Sequence, residues 1–124
     1  MVIDGFYEWD PNVKPKQPYF AHRKDNSAFA VAGIWASRKG KDRLEEVNFA
    51  MIIADPNGVM KPIYHRMPVI LDKCDFRKWL YHDSDPDSLK ALLVLCPDYL
   101  LEAYPVSTFV NKPERDTHDC LKPV

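Results

Sequence analysis

Read by the spacing of its apolar positions, the chain alternates short strand-like runs with clusters of turn-forming residues. From Val2 to Trp9 the bulky residues Phe6, Tyr7 and Trp9 follow Gly5, which marks a bulge or the close approach of another backbone. Asp10-Pro11-Asn12 opens a turn-rich loop that ends at Pro18. Pro18 to Arg23 and Ala28 to Ala36 then read as two further strands of a meander, separated by Lys24-Asp25-Asn26-Ser27. Beyond a charged segment, Arg38 to Arg43, the stretch Val47 to Ala54 is a continuous apolar run, the pattern of a strand buried on both faces. Asp55-Pro56-Asn57-Gly58 turns out of it, Val59 to Tyr64 predicts a short helical turn, and Met67 to Leu71 another strand.

The helical signals come later and are weak. Asp72 is a candidate N-cap for a helix running to Tyr81 that would bury Phe76, Trp79 and Leu80. Asp85-Pro86 opens a second, with Leu89, Leu92, Leu93 and either Leu95 or Cys96 facing inward. Glu102 to Val106 is the last strand, and Asn111 to Val124 a mostly polar tail. Eleven prolines limit long helices. The pattern therefore predicts one α+β domain spanning residues 1–124, built on an antiparallel, barrel-like sheet with short peripheral helices. Because the chain starts inside a strand, the exposed edge calls for a partner, and a preceding segment is expected to be missing.

Composition narrows the function. At 124 residues the chain is long enough for one core, and 46% hydrophobic against 28% charged residues excludes a disordered chain. Seventeen basic and eighteen acidic residues nearly cancel, so any contact with nucleic acid must come from a local patch. The basic segment Arg38 to Arg43 reads as a solvated hairpin tip rather than that patch. Cys74, Cys96 and Cys120 are odd in number and widely spaced, which fits neither a disulfide framework nor a zinc knuckle. His22, His82 and His118 share no ligand spacing, so no metal and no cofactor is expected. No apolar run approaches a membrane span and no leader pattern opens the chain. The expected setting is the cytoplasm, or the nucleus of a eukaryotic cell.

Five stretches carry a resemblance: Asp4-Gly5-Phe6-Tyr7-Glu8-Trp9, Gln17-Pro18-Tyr19-Phe20, Ala32-Gly33-Ile34-Trp35, Arg66-Met67-Pro68-Val69-Ile70-Leu71, and Tyr104-Pro105-Val106-Ser107 followed by Val110-Asn111. In this order and spacing the chain resembles the C-terminal part of the SOS-response-associated peptidase (SRAP) domain. The resemblance implies a β-rich fold with a groove for single-stranded DNA and a covalent thiazolidine link to the aldehyde of a ring-opened abasic site. That link needs a cysteine at the N-terminus, because amine and thiol must add to one carbonyl carbon. Position 2 here is Val2, and the family's upstream half, which carries that cysteine and an active-site asparagine, is not in the sequence.

By the same resemblance Glu8 matches the catalytic glutamate, a carboxylate that shuttles protons and needs burial to raise its pKa. A solvent-facing strand glutamate is the competing reading. The family histidine falls at Tyr64, with His65 in the next, variable place. A tyrosine hydroxyl can donate a hydrogen bond but exchanges protons poorly near neutrality, and adjacent side chains point differently, so His65 is expected to face away. Arg66 matches an arginine near bound DNA and suits bidentate phosphate contact, unless it pairs with a local carboxylate. Trp9 offers a stacking face for a base or for the gap left by a missing one, or else belongs to the core. The expected partners are single-stranded and abasic-site DNA, together with the missing N-terminal half or a second chain. Two further readings stand beside cross-linking. One is a truncated, catalytically silent module that binds single-stranded DNA or protein without covalent chemistry. The other is a glutamate-dependent peptidase.

Overall fold

The computed structural model describes residues 1–39 and 45–124, so the tip of the charged segment Arg38 to Arg43 lies outside the described residues. In chain order the strands are β1 (Val2–Ile3), β2 (Gly5–Asp10), β3 (Gln17–Arg23), β4 (Phe29–Val31), β5 (Gly33–Lys39), β6 (Glu45–Met51), β7 (Ile53–Ala54), β8 (Met67–Pro68), β9 (Ile70–Leu71) and β10 (Leu101–Pro105). Two five-residue helices, α1 (Phe76–Leu80) and α2 (Pro86–Lys90), lie between β9 and β10. Every described ladder is antiparallel, as the alternating pattern predicts: β1-β4-β9, β10-β3-β2, β5-β6 and β7-β8. The result is an α+β fold whose sheets bend round a core without closing into a barrel.

The first strand-like run serves two sheets. β1 pairs with β4, β2 pairs with β3, and the change of partner falls at Asp4-Gly5. Gly5 is required there because a Cβ would lie 2.6 Å from the Ala21 carbonyl oxygen and collide with the Phe20 ring. β3 is the centre of its sheet, and Gln17 locks its start by donating to the carbonyls of Pro18 and Val106 at 2.9 and 2.8 Å. The main core gathers Ala21, Phe29, Val31, Met60, Ile70 and Leu101. On the far side of this sheet the tail folds back. Tyr7 donates to the Cys120 carbonyl at 3.3 Å, Tyr104 to that of Leu121 at 2.9 Å, and Val106 bridges to Pro123.

Three runs that read as single strands are each broken at one residue. Ala28 to Ala36 divides at Ala32, Val47 to Ala54 at Ile52, and Met67 to Leu71 at Val69. These three residues bond to one another in a ring: Ala32 N–H to Val69 O at 2.8 Å, Val69 N–H to Ile52 O at 3.0 Å, and Ile52 N–H to Ala32 O at 3.0 Å. Each chain segment leaves one partner and takes another at this junction.

Two sequence expectations fail in packing. The run Val47 to Ala54 is not buried on both faces: all of β6 is exposed, because β5 and β6 stand out as a two-stranded ribbon that no described layer covers. Leu80 is 80% exposed, since α1 is too short to present more than one side, and its i, i+3 pair Phe76 and Trp79 takes the place against the smaller core of Ala32, Val69 and Leu71. Of the pair Leu95 and Cys96, Cys96 is the one that turns inward. The predicted caps are present, Asp72 accepting from Cys74 N–H at 3.0 Å and Asp85 from Ser88 N–H at 2.9 Å. No described helix is long and apolar enough to cross a membrane.

Candidate functional site

β2 is the outer strand of its sheet, and the candidate residues sit at its C-terminal end. Glu8 stands opposite Tyr19 and Trp9 opposite Pro18. By strand alternation Glu8 shares the face of Phe6, whose ring packs edge-on against the core residue Phe29. Trp9 shares the face of Tyr7, 6.4 Å away between ring centroids. The Trp9 indole is also tied down at its polar end, where Nε1 donates to Asn111 Oδ1 at 2.8 Å. That bond joins β2 to the 3-10 turn Thr108–Asn111, which the Ser107 side chain caps by accepting from Phe109 N–H. The ring orientation is thus set from two distant parts of the chain.

The second wall comes from the segment between β7 and β8. Asn57 is 1% exposed, a polar side chain in the core, and its bonds are complete. Its Nδ2 donates to Cys96 O at 3.0 Å, its Oδ1 accepts from Met60 N–H at 3.1 Å, and its carbonyl accepts from Lys61 N–H at 2.9 Å. This fixes a helical turn in which Tyr64 N–H donates to Met60 O at 2.9 Å, as the sequence predicts for Val59 to Tyr64. Tyr64 leans on the main core from this turn. Between the two walls an open cleft of about 400 Å³ is lined by Glu8, Trp9, Lys16, Tyr64 and Asn111.

The structure therefore brings Glu8, Trp9 and Tyr64 together. His65 and Arg66 are exposed and do not line the cleft, but both lie close enough to act on Glu8. The His65 ring rests on Tyr64, with 4.3 Å between centroids. Partial burial pushes the Glu8 carboxyl above the ordinary glutamate range, while the Trp9 amide and the positive charges of Arg66 and His65 pull it back. The burial effect dominates, so Glu8 holds a proton more readily than a solvated carboxylate does. Such a group can give a proton to an oxygen and take one back, and Tyr64 can donate a hydrogen bond beside it.

Two lining residues were not legible as site residues. In the sequence Asn111 is only part of a motif and Lys16 only part of a loop, and no local pattern places either near Glu8. Asn111 arrives from 102 positions along the chain. Lys16 reaches the cleft from the β2–β3 connection, one residue before β3.

Known proteins confirm the resemblance. The family model "SOS response associated peptidase (SRAP)" matches residues 1–113. The chain is similar to the chicken abasic site processing protein HMCES, 32% identical over 146 aligned residues that take in all of this chain and 43% of that protein. It is also similar to the Bacillus subtilis abasic site processing protein YoqW, 34% identical over 123 residues, or 96% of this chain and 54% of that one. A crystal structure of a protein from Bacteroides thetaiotaomicron superposes with a TM-score of 0.88 at 28% identity, covering 100% of this chain and 56% of that one. The chain spans about half the length of the curated relatives it matches. With the fold, the motif order and the family match in agreement, the chain belongs to the SOS response associated peptidase (SRAP) family.

Proposed function

We propose that this chain processes abasic sites in single-stranded DNA, holding the damaged nucleotide in the cleft between Glu8, Trp9 and Tyr64. One observation carries the reading: a carboxyl with raised proton affinity lies in an open cleft beside an indole that Asn111 holds in place. An abasic nucleotide presents a sugar aldehyde where a base should be. The indole face can fill the gap beside neighbouring bases, and Glu8 can move protons at the aldehyde. Arg66, exposed next to Glu8, supplies the local positive charge that a chain of net charge -1 needs to hold a phosphate.

The abasic site processing relatives are about twice the length of this chain, and the β5–β6 ribbon is where the remainder would rest. Trp35 stands opposite Phe49 and Ser37 opposite Val47, so Trp35, Val47, Phe49 and Met51 share one face, and Trp35 is 70% exposed. Gly33 leaves room for the Phe49 ring on that face. Burying such side chains stabilises by roughly 1.5–3 kcal/mol apiece, enough to hold a complementary half-domain in place. Mixing this chain with the unmatched part of the Bacillus relative should shift tryptophan emission to the blue and produce a one-to-one complex in light scattering, both lost in Trp35→Glu. A self-dimer that excludes the added half would overturn this assignment of the ribbon.

The silent-module reading has its own support, because Tyr64 occupies the cleft where the family resemblance puts histidine. The experiment is a mobility shift with single-stranded oligonucleotides, with and without one abasic site, run beside a denaturing gel. Preferential retention of the abasic strand, weakened by Arg66→Ala, is the expected result. Equal retention of both strands with no adduct would favour the silent module, and no retention of either would defeat both readings.

A further inference from the structure

We infer that the cavity between Tyr7 and the folded-back tail is a base-binding subsite, which takes the nucleobase next to the abasic nucleotide on the same single strand. The inference rests on the abasic-site reading above and adds to it a second pocket and its ligand. The cavity measures about 350 Å³, and its lining includes Tyr7, Val110, Arg115, Asp116 and Leu121. That volume is at the small end of the roughly 300–1,000 Å³ of ligand pockets and suits a single flat ring.

Its place in the fold ties it to the cleft. Tyr7 and Trp9 share one face of β2 with 6.4 Å between ring centroids, Tyr7 lining the cavity and Trp9 the cleft. In the turn after β10, Val110 lines the cavity and its neighbour Asn111 the cleft. The two spaces therefore adjoin along a wall built twice over from near neighbours in the chain. The ring spacing is nearly twice the roughly 3.4 Å step per nucleotide of stacked DNA, so the rings receive successive units of a stretched strand.

The lining fits a base better than a phosphate. Tyr7 is fixed by its hydroxyl, which donates to Cys120 O at 3.3 Å, and with Val110 and Leu121 it offers apolar surface to a ring face. The Arg115 guanidinium lies on the Phe109 ring, its Cζ 4.0 Å from the centroid, which leaves the guanidinium edge to donate. The Arg115 main chain is held on both sides, its N–H donating to Lys112 O at 2.9 Å and its carbonyl accepting from Cys120 Sγ at 3.3 Å. Asp116 follows with a carboxylate close to Tyr7: burial pushes the Tyr7 hydroxyl pKa up, and Asp116 is among the nearby groups that add to it. Among the described residues neither Arg115 nor Asp116 is in an ion pair. A phosphate here would meet the Asp116 charge. An unstacked base instead brings both an acceptor for Arg115 and a donor for Asp116 on its edge.

The test uses the intact chain and fluorescence anisotropy at one fixed salt concentration. The probes are oligothymidine, the same strand with one tetrahydrofuran abasic analogue, and two strands with a second analogue immediately 5′ or 3′ of the first. Tighter binding of the singly gapped strand than of plain oligothymidine checks the abasic-site reading. A second gap on one side should then weaken binding about tenfold, and on the other side less than about twofold. Arg115→Lys keeps the charge but loses the planar fork, and should erase that difference while leaving the doubly gapped strands unaffected. Asp116→Ala should weaken the singly gapped strand about fivefold, whereas removing a carboxylate tightens every strand if charge alone matters. Equal affinity for all three gapped strands, each tighter than the plain one, would overturn the base subsite and leave the abasic-site reading standing. So would uniform tightening in Asp116→Ala, or a side preference kept in full by Arg115→Lys. No preference for a gapped strand would overturn both.

Discussion

The β2–β3–β10 sheet and the β5–β6 ribbon are made of similar strands with similar apolar content, yet they end in opposite environments. The sheet has the main core on one side and the folded-back tail on the other, held by the hydroxyls of Tyr7 and Tyr104. Within the described residues the ribbon has neither. Aromatic residues on the sheet are partly buried, and Tyr7, Trp9 and Tyr104 are hydrogen-bonded as well, while Trp35 and Phe49 of the ribbon are exposed. The difference teaches that an apolar pattern makes a strand but does not say what lies above it. The closed region stores the chain's own stability and the candidate site; the open one stores apolar surface that no described residue covers.

Substitutions can separate those two stores. Leu101→Ala removes a side chain with no exposure from the centre of the closed region and should lower unfolding free energy by about 2–5 kcal/mol in urea titration. Asn57→Ala strands the Cys96 carbonyl and the Met60 amide and should cost about 1–3 kcal/mol, with loosening of the Tyr64 turn visible in NMR shifts. In contrast, Trp35→Ala removes a larger side chain from the ribbon but should change the stability of this chain alone by less than about 0.5 kcal/mol. A loss comparable with that of Leu101→Ala would show that the ribbon is already covered. The smallest effect is at Glu8. The folded chain holds this proton more tightly than the unfolded chain, so stability falls as pH rises from the ordinary carboxylate range, about 4–5, through the raised folded value, and is level above it. Glu8→Gln should remove that slope, matching the parent at low pH and slightly exceeding it at neutral pH.

Much of this division is written in the sequence. The alternation of β2, the run Gln17 to Arg23 and the last strand near Glu102 are legible because each packs one face on the core. Gly5 is legible because close backbone approach selects glycine. The breaks at Ala32, Ile52 and Val69 are not, since a change of partner leaves the apolar pattern untouched. Nor is the exposure of β6, because burial is a property of what lies above a strand. In the site, Glu8, Trp9, Tyr64 and Arg66 stand out through motif resemblance, whereas Lys16 and Asn111 are recruited by chain folding alone. Asn57 reads as an ordinary turn residue and is in fact the polar centre of the wall that carries Tyr64.

The ring of bonds among Ala32, Ile52 and Val69 makes the ribbon a gauge for the site. Each of the three residues both gives and receives one bond, so no segment can slide by one position unless the other two slide with it. A slide of one position would turn every side chain of a strand to the opposite face. Arg66 lies three residues before Val69, on the segment that this ring ties to the ribbon, and the ribbon contributes no side chain to the cleft. A lesion in the ribbon that leaves every cleft residue intact therefore still pulls on the segment that carries β8 and the turn before it.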